Sequence, residues 1–139
     1  MKKIKLFDLS RQYSRLKPTL ESKISRVLAT GQYIMGKNVI AFEKNVSKYL
    51  STKNAVTCNS GTDALIMALR SLDIGQGDEV ITTPFTYFST IETILLVGAE
   101  PVFVDIDPKT FNIDTAKIEQ KITKKTKAIL GVHIFGHPY

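Results

Sequence analysis

The sequence has little cysteine and no long apolar run, and each shortage excludes a class of protein. Cys58 is the one cysteine in 139 residues, so no internal disulfide can form, as is usual in a reducing cytoplasm. The longest apolar run, residues 91–97, contains Glu92 and is far shorter than the ~20 residues that span a bilayer. No apolar signal core follows the initial Met-Lys-Lys-Ile. We therefore expect a cytoplasmic protein that is neither exported nor inserted in a membrane.

Positive charge exceeds negative charge by a net +6 at pH 7, but it forms no nucleic-acid-binding pattern. The densest lysine run, residues 121–127, is most simply a solvated loop before a strand. Nucleic-acid binding requires a basic stripe with interleaved aromatics or a recognition motif, and the sequence has neither. The charge is compatible with a mild attraction for small anionic molecules. We expect no nucleic-acid partner and no metal site.

Helix-like and strand-like segments alternate along the chain, and the strand-like ones are nearly continuous apolar runs. This alternation is typical of parallel strands covered on both faces. A short extended stretch is predicted at residues 7–9, followed by a helix at 18–30 with Pro18 in its first turn. The next predicted helix is capped by Asn38. Two more follow at residues 64–72 and 86–97, and a last one is capped by Asp114 or Thr115. The predicted strands are residues 55–58, 80–83, 101–105 and 128–134. The fold class is therefore α/β, with a mostly parallel sheet in three layers.

Residues 58–63, Cys-Asn-Ser-Gly-Thr-Asp, lie between a predicted strand and a predicted helix. A tight turn that opens a helix presents free backbone N–H groups, which bind anions such as phosphate. Gly61 allows a ligand to approach the backbone closely, and the hydroxyl of Thr62 adds a donor. The alternative is that Ser60 or Thr62 only caps the helix and Gly61 only makes the turn.

A second informative stretch, residues 83–90, follows the next predicted strand and contains Phe85, Tyr87 and Phe88. An aromatic ring at the carboxyl end of a strand, beside a phosphate site, can stack on a planar heterocycle. The alternative is that these rings belong to the core, which we expect for at least one of them. Ligands of parallel sheets gather at such strand ends, here residues 58–62, 83–87, 105–107 and 133–136.

The loop between the first two predicted helices, residues 31–36, carries Tyr33, Ile34 and Met35 between two glycines. Surface loops seldom expose three large apolar side chains without burying them against something. We expect this loop to meet another surface, such as a second subunit.

Five motifs together resemble one family, because they occur in its order along essentially the whole chain. They are CNSGTDAL at 58–65, GQGDEVI at 75–81, TPFTYFST at 83–90, GAEPVFVD at 98–105 and TKAI at 126–129. The chain is similar to the amino-terminal part of the DegT/DnrJ/EryC1/StrS aminotransferases. The resemblance implies the large domain of the aspartate-aminotransferase fold (fold type I), with residues 1–53 as a helical segment and 54–139 as βα units. The remainder of that domain and a small C-terminal domain are expected to be absent.

The resemblance also implies a function. Such enzymes use pyridoxal 5′-phosphate to move an amino group from a donor, usually glutamate, to a keto-sugar attached to a nucleotide, in cell-surface polysaccharide or amino-sugar biosynthesis. Ser60, Gly61 and Thr62 match the phosphate-binding turn, and Tyr87 matches the aromatic that stacks on the pyridine ring. The loop containing Tyr33 and Gly36 resembles a segment near the active site at a homodimer interface. Its Gly-Gln-Tyr-Ile form is most similar to members acting on 3-keto sugars.

Two family features have no match in these residues: the acidic partner of the pyridinium nitrogen and the lysine that forms the Schiff base. We therefore expect no catalytic residue within this chain and no transamination by it alone. His133 matches a frequent family histidine, for which a core or hydrogen-bonding role is at least as plausible as a functional one. One alternative is a non-catalytic binding or regulatory module that keeps the phosphate site. A generic nucleotide-binding domain is disfavoured because Gly-x-Gly-x-x-Gly and P-loop motifs are missing.

Overall fold

A computed structural model describes residues 5–138, and the chain divides into two compact units at residues 57 and 58. The first unit contains α1, Leu9–Thr30, and α2, Lys37–Tyr49. Neither helix contains a buried residue. The predicted end of α1 is confirmed, because Gly31 closes it with a left-handed φ of 66° and its N–H donates to the oxygen of Leu28.

Two predicted starts in this unit are wrong. The helix α1 begins at Leu9 rather than near Pro18, which lies in the helix interior. Pro18 supplies no N–H to the helix, and Tyr13 Oη donates to Glu21 Oε1 at 3.0 Å across this turn. The second helix is capped by Gly36 rather than Asn38.

The predicted strand at residues 55–58 is also wrong, since no strand forms there. A strand needs a ladder partner, and none of the three strands of the sheet pairs with these residues. The backbone is held instead by a carboxylate. Glu43 Oε1 accepts hydrogen bonds from Thr57 N and Thr57 Oγ1, both at 2.8 Å.

The second unit confirms the α/β class with a parallel sheet. Its elements in chain order are α3 Gly61–Ser71, β1 Glu79–Thr82, α4 Ser89–Leu96, β2 Glu100–Phe103 and β3 Thr126–Ile129. The strand order is β2-β1-β3, and both pairings are parallel. The predicted helix after Asp114 is instead a pair of 3-10 turns, Thr115–Lys117 and Glu119–Lys121. Asp114 does cap the first turn, because its side chain accepts from Ala116 N.

The central strand β1 supplies both halves of the core, because successive strand residues point to opposite faces. Val80 packs with the first cluster and Ile81 with the second, and both are fully buried. The first cluster also contains Leu69, Ile74, Ile94, Val97 and Ala99, from and around α3 and α4. The second contains Val104 and Ile113. The segment after β2 therefore covers the face that the two helices leave open.

Candidate functional site

The carboxyl edge of the sheet consists of the ends of β1, β2 and β3 and the loops that follow them, residues 83–88, 104–107 and 130–136. Helices α3 and α4 each end just before a strand begins, so both run opposite to the sheet and start at this edge. The two helices also pack against each other. The topology therefore brings the start of α3 and the loop before α4 to one edge of the second unit.

Ser60 forms the start of α3. Its Oγ accepts a hydrogen bond from Asp63 N at 3.1 Å and donates one to Asp63 Oδ2 at 2.7 Å. Its carbonyl accepts from Ala64 N at 3.1 Å. The helix-cap interpretation of Ser60 is confirmed. The hydroxyl proton is thereby engaged within the chain.

Gly61 and Thr62, the first two residues of α3, carry polar groups that are unpaired within the part of the chain that the structure describes. Among residues 5–138, neither backbone N–H has a hydrogen-bond acceptor, and the Thr62 hydroxyl has no partner. A Cβ built on Gly61 meets no heavy atom within 4 Å, so the space on the Cβ side of Gly61 is open. A phosphate fits these groups, since its oxygens accept N–H and O–H bonds and its charge is favoured at a helix N-terminus.

Tyr87 lies in the loop between β1 and α4, and 79% of its surface is exposed. Its carbonyl accepts from Thr90 N at 3.0 Å, whereas its side chain makes no hydrogen bond within the described residues. Phe85 and Phe88 are also exposed, so the expectation that at least one of these rings belongs to the core is wrong. The ring of Tyr87 is thus available to a ligand.

Tyr33 and Gly36 lie in the first unit. They help to line a pocket of about 370 Å³, between the end of α1 and the start of α2. Tyr33 is 64% exposed, and a Cβ on Gly36 would lie 2.9 Å from the backbone oxygen of Gln32. Gly36 is therefore required here by the close approach of the backbone.

An aromatic cluster at the carboxyl edge was not foreseen from the sequence. Phe85, Phe111 and Phe135 come from the loops after β1, β2 and β3, and their ring centroids are 5.5–6.3 Å apart. Phe111 adopts a φ of 61°, which is unusual for a side chain of this size. The three residues are far apart in sequence. Only the prediction that the three strand ends lie at one edge of the sheet could have indicated that these rings meet.

Asn112 joins the turn after β2 to the end of the described chain. It is 4% exposed, and its Nδ2 lies 3.0 Å from the oxygen and 3.3 Å from Nδ1 of His137. His133, which matches a family histidine, is exposed on the loop after β3. The contacts between Asn112 and His137 hold together two of the loops that carry the aromatic cluster.

Charged groups near the carboxyl edge form one close pair. Lys117 Nζ lies 2.8 Å from Asp114 Oδ2, and this hydrogen bond lowers the pKa of the Asp114 carboxyl and raises that of the Lys117 ammonium. Within residues 5–138, no cluster of histidine, cysteine and carboxylate side chains has the composition of a metal site. The helices of the same residues include none with the length and apolar character to cross a bilayer.

Comparison with known sequences extends over nearly the whole chain. The profile of the DegT/DnrJ/EryC1/StrS aminotransferase family matches residues 15–139. A UDP-2-acetamido-2-deoxy-3-oxo-D-glucuronate aminotransferase of Pseudomonas aeruginosa is 45% identical, over 96% of this chain and 37% of its own. A pleiotropic regulatory protein of Geobacillus stearothermophilus is also 45% identical, over 96% of this chain and 36% of its own.

Solved structures give the same result. DesV of S. venezuelae, in complex with a ketimine intermediate, superposes with a TM-score of 0.95 at 38% identity, over 100% of this chain and 38% of its own. NtdA of Bacillus subtilis, with bound cofactor PMP, gives a TM-score of 0.91 at 35% identity, over 100% of this chain and 32% of its own. The chain therefore spans between 32% and 38% of the length of these relatives. It belongs to the DegT/DnrJ/EryC1/StrS aminotransferase family.

Proposed function

We propose that the protein is a pyridoxal-phosphate-dependent aminotransferase acting on a nucleotide-linked keto-sugar, and that this chain supplies part of its cofactor site. The observation that carries the proposal is the start of α3, where, among the described residues, Gly61 and Thr62 carry two unpaired N–H groups and an unpaired hydroxyl next to the open space at Gly61. Family membership makes a phosphorylated cofactor the leading candidate for that anion site.

The proposed roles follow from the chemistry of the residues. The N–H groups of Gly61 and Thr62 and the Thr62 hydroxyl hold the phosphate, and the positive end of α3 favours its charge. Ser60 keeps the turn in place through its bonds to Asp63 and borders the same site. The exposed ring of Tyr87 stacks on the cofactor ring. Pyridoxal 5′-phosphate, when bound, would supply an electron sink and would carry the amino group between donor and acceptor.

The names of the relatives support the substrate class. Besides the Pseudomonas enzyme, relatives are named as a UDP-N-acetyl-3-dehydro-alpha-D-glucosamine 3-aminotransferase and a dTDP-3-amino-3,6-dideoxy-alpha-D-galactopyranose transaminase. We take the acceptor to be a nucleotide-linked 3-keto sugar and the donor to be an amino acid, with glutamate as the first to test. A relative named as a spore coat polysaccharide biosynthesis protein supports a role in surface polysaccharides.

The loop of Tyr33 and Gly36 has a separate proposed role. We assign it to a homodimer interface beside the active site, because Tyr33, Ile34 and Met35 all expose most of their side chains. We expect the reaction to occur in the cytoplasm.

A second candidate is a regulatory module that binds the cofactor without transferring an amino group. The observation in its favour is the relative named as a pleiotropic regulatory protein. The two candidates make the same prediction for the phosphate site and opposite predictions for turnover.

The experiment uses the product of the complete gene with pyridoxal phosphate, glutamate and a UDP-linked 3-keto sugar, and measures 2-oxoglutarate together with the amino-sugar. Equal amounts of both products support the aminotransferase. Cofactor binding without either product, across UDP- and dTDP-linked 3-keto sugars and several amino donors, supports the regulatory module. Absence of cofactor binding rejects both.

A further inference from the structure

The loop that carries Tyr87 is held by hydroxyl groups. Thr83 Oγ1 accepts from Phe85 N at 3.2 Å, and Thr86 N donates to the oxygen of Pro84 at 3.1 Å. Thr83 is 1% exposed, so the beginning of the loop is anchored at the end of β1. The path of the chain toward Tyr87 is therefore fixed from one side.

The other side of the loop enters α4 without a conventional cap. Phe88 occupies the N-cap position in a helical conformation, and no side chain caps the helix there. The first N–H groups instead bond backward along the chain, Thr90 N to the oxygen of Tyr87 and Ile91 N to that of Phe88, both at 3.0 Å. The direction of the Tyr87 backbone is thus coupled to the first turn of α4.

One side-chain bond spans Tyr87. Thr86 Oγ1 and Thr90 Oγ1 lie 2.9 Å apart, one residue before Tyr87 and three residues after it. Thr90 is 6% exposed, so water has little access to this hydrogen bond and rarely replaces either hydroxyl in it. The Tyr87 ring has no hydrogen bond of its own among residues 5–138, so its placement depends on the backbone that this pair closes.

We propose that Thr86 and Thr90 are positioning residues, whose hydroxyl pair holds the ring of Tyr87 in the orientation that stacks on the cofactor. The inference rests on the proposed function, because it assumes that Tyr87 contacts the cofactor ring. It adds that Tyr87 alone is insufficient: without the pair, the ring remains present but samples orientations that do not stack.

Thr93 provides a matched control. It is on the same helix, one turn after Thr90, and is 0% exposed. Its Oγ1 donates to the oxygen of Thr90 at 3.1 Å within the helix and does not span Tyr87. Replacing Thr93 by valine therefore removes a buried hydroxyl with a comparable cost in folding stability, but leaves the Thr86–Thr90 pair intact.

The experiment measures binding of pyridoxamine 5′-phosphate to the product of the complete gene, because this probe carries an amine and cannot condense with surface lysines as an aldehyde would. Its fluorescence gives the Kd, and its induced circular dichroism reports how the ring is held. We expect Thr90→Val to weaken binding by about 2- to 10-fold, the full worth of a stacked aromatic pair, and to reduce the induced signal. Thr90→Ser should restore both, and Thr93→Val should leave both unchanged.

A double-mutant cycle with Tyr87→Ala tests whether the pair acts through the ring. We expect Thr90→Val to have no further effect once Tyr87→Ala is present. Equal effects of Thr90→Val in both backgrounds, or no effect with the Tyr87 ring present, would overturn the inference and leave the proposed cofactor site standing. Failure of the wild-type protein to bind the probe would refute the cofactor site and this inference with it. If Thr90→Val does not fold, Thr86→Val removes the same bond from its less buried side.

Discussion

The hydroxyl of Thr62 should matter for cofactor binding and hardly at all for folding. It makes no hydrogen bond within residues 5–138, so replacing it by a methyl group in Thr62→Val leaves no partner unsatisfied. Thr62 is half-buried, and because no partner loses a hydrogen bond we expect the free energy of unfolding to change by less than about 0.5 kcal/mol. Unfolding in urea should therefore give nearly the wild-type midpoint.

Binding should respond much more strongly. A hydrogen bond to a charged phosphate contributes roughly 1.5–3 kcal/mol. Since about 1.4 kcal/mol is a tenfold change, Thr62→Val should raise the Kd for pyridoxamine 5′-phosphate by about 10- to 150-fold. Fluorescence titration of the product of the complete gene measures this change, and pyridoxamine without the phosphate should bind both proteins equally weakly.

Ser60→Ala is the matched comparison, because it removes a neighbouring hydroxyl that the structure shows engaged in capping. Loss of such a cap costs roughly 0.5–2 kcal/mol of folding stability. Ser60→Ala should therefore lower the urea midpoint, whereas Thr62→Val should lower the affinity at a nearly unchanged midpoint. Unchanged affinity in Thr62→Val, with a lowered midpoint, would refute the reasoning and leave Thr62 as part of the helix cap only.

Three further predictions concern other parts of the chain. Tyr87→Phe should keep cofactor affinity, whereas Tyr87→Ala should weaken it by about 1 kcal/mol in titrations, and equal effects would implicate the hydroxyl instead of the ring. Gly36→Ala should lower the free energy of unfolding by about 1–3 kcal/mol in urea, because its Cβ would lie 2.9 Å from the backbone oxygen of Gln32, and a wild-type midpoint would contradict that contact. The two hydrogen bonds from Thr57 lower the pKa of Glu43 below its ordinary value of 4.5, so this carboxylate stabilises the fold above that pH and less as pH falls through the lowered pKa. Urea midpoints of wild type and Glu43→Gln should therefore converge in acid, and a constant difference would count against the contact.

Elements with strong local signals were predictable from the sequence. The helix α3 has regular apolar spacing and a turn with Ser60 at its start, and the structure begins it at Gly61. The strand β1 is a short β-branched run. It was predicted at residues 80–83 and lies one residue earlier, at Glu79–Thr82. In both cases the local sequence was sufficient to predict the type of element.

Failures occurred where distant residues decide. Residues 55–58 have strand-like composition, but composition supplies no ladder partner, and β1 pairs with β2 and β3 instead. The residues after Asp114 form two 3-10 turns, in a segment whose Ile113 and Ile118 pack against the open face of the sheet. The cluster of Phe85, Phe111 and Phe135 joins three loops, and no local pattern indicates such a contact.

The central claim is that the first two N–H groups of α3 hold the phosphate of the cofactor. Backbone amide NMR signals of Gly61 and Thr62, followed during titration of the product of the complete gene with pyridoxamine 5′-phosphate, test it most directly. Both signals should shift together with saturation of the probe, and pyridoxamine without phosphate should leave them in place at the same concentrations. Saturable binding of the phosphorylated probe with the Gly61 and Thr62 signals unmoved would contradict the claim.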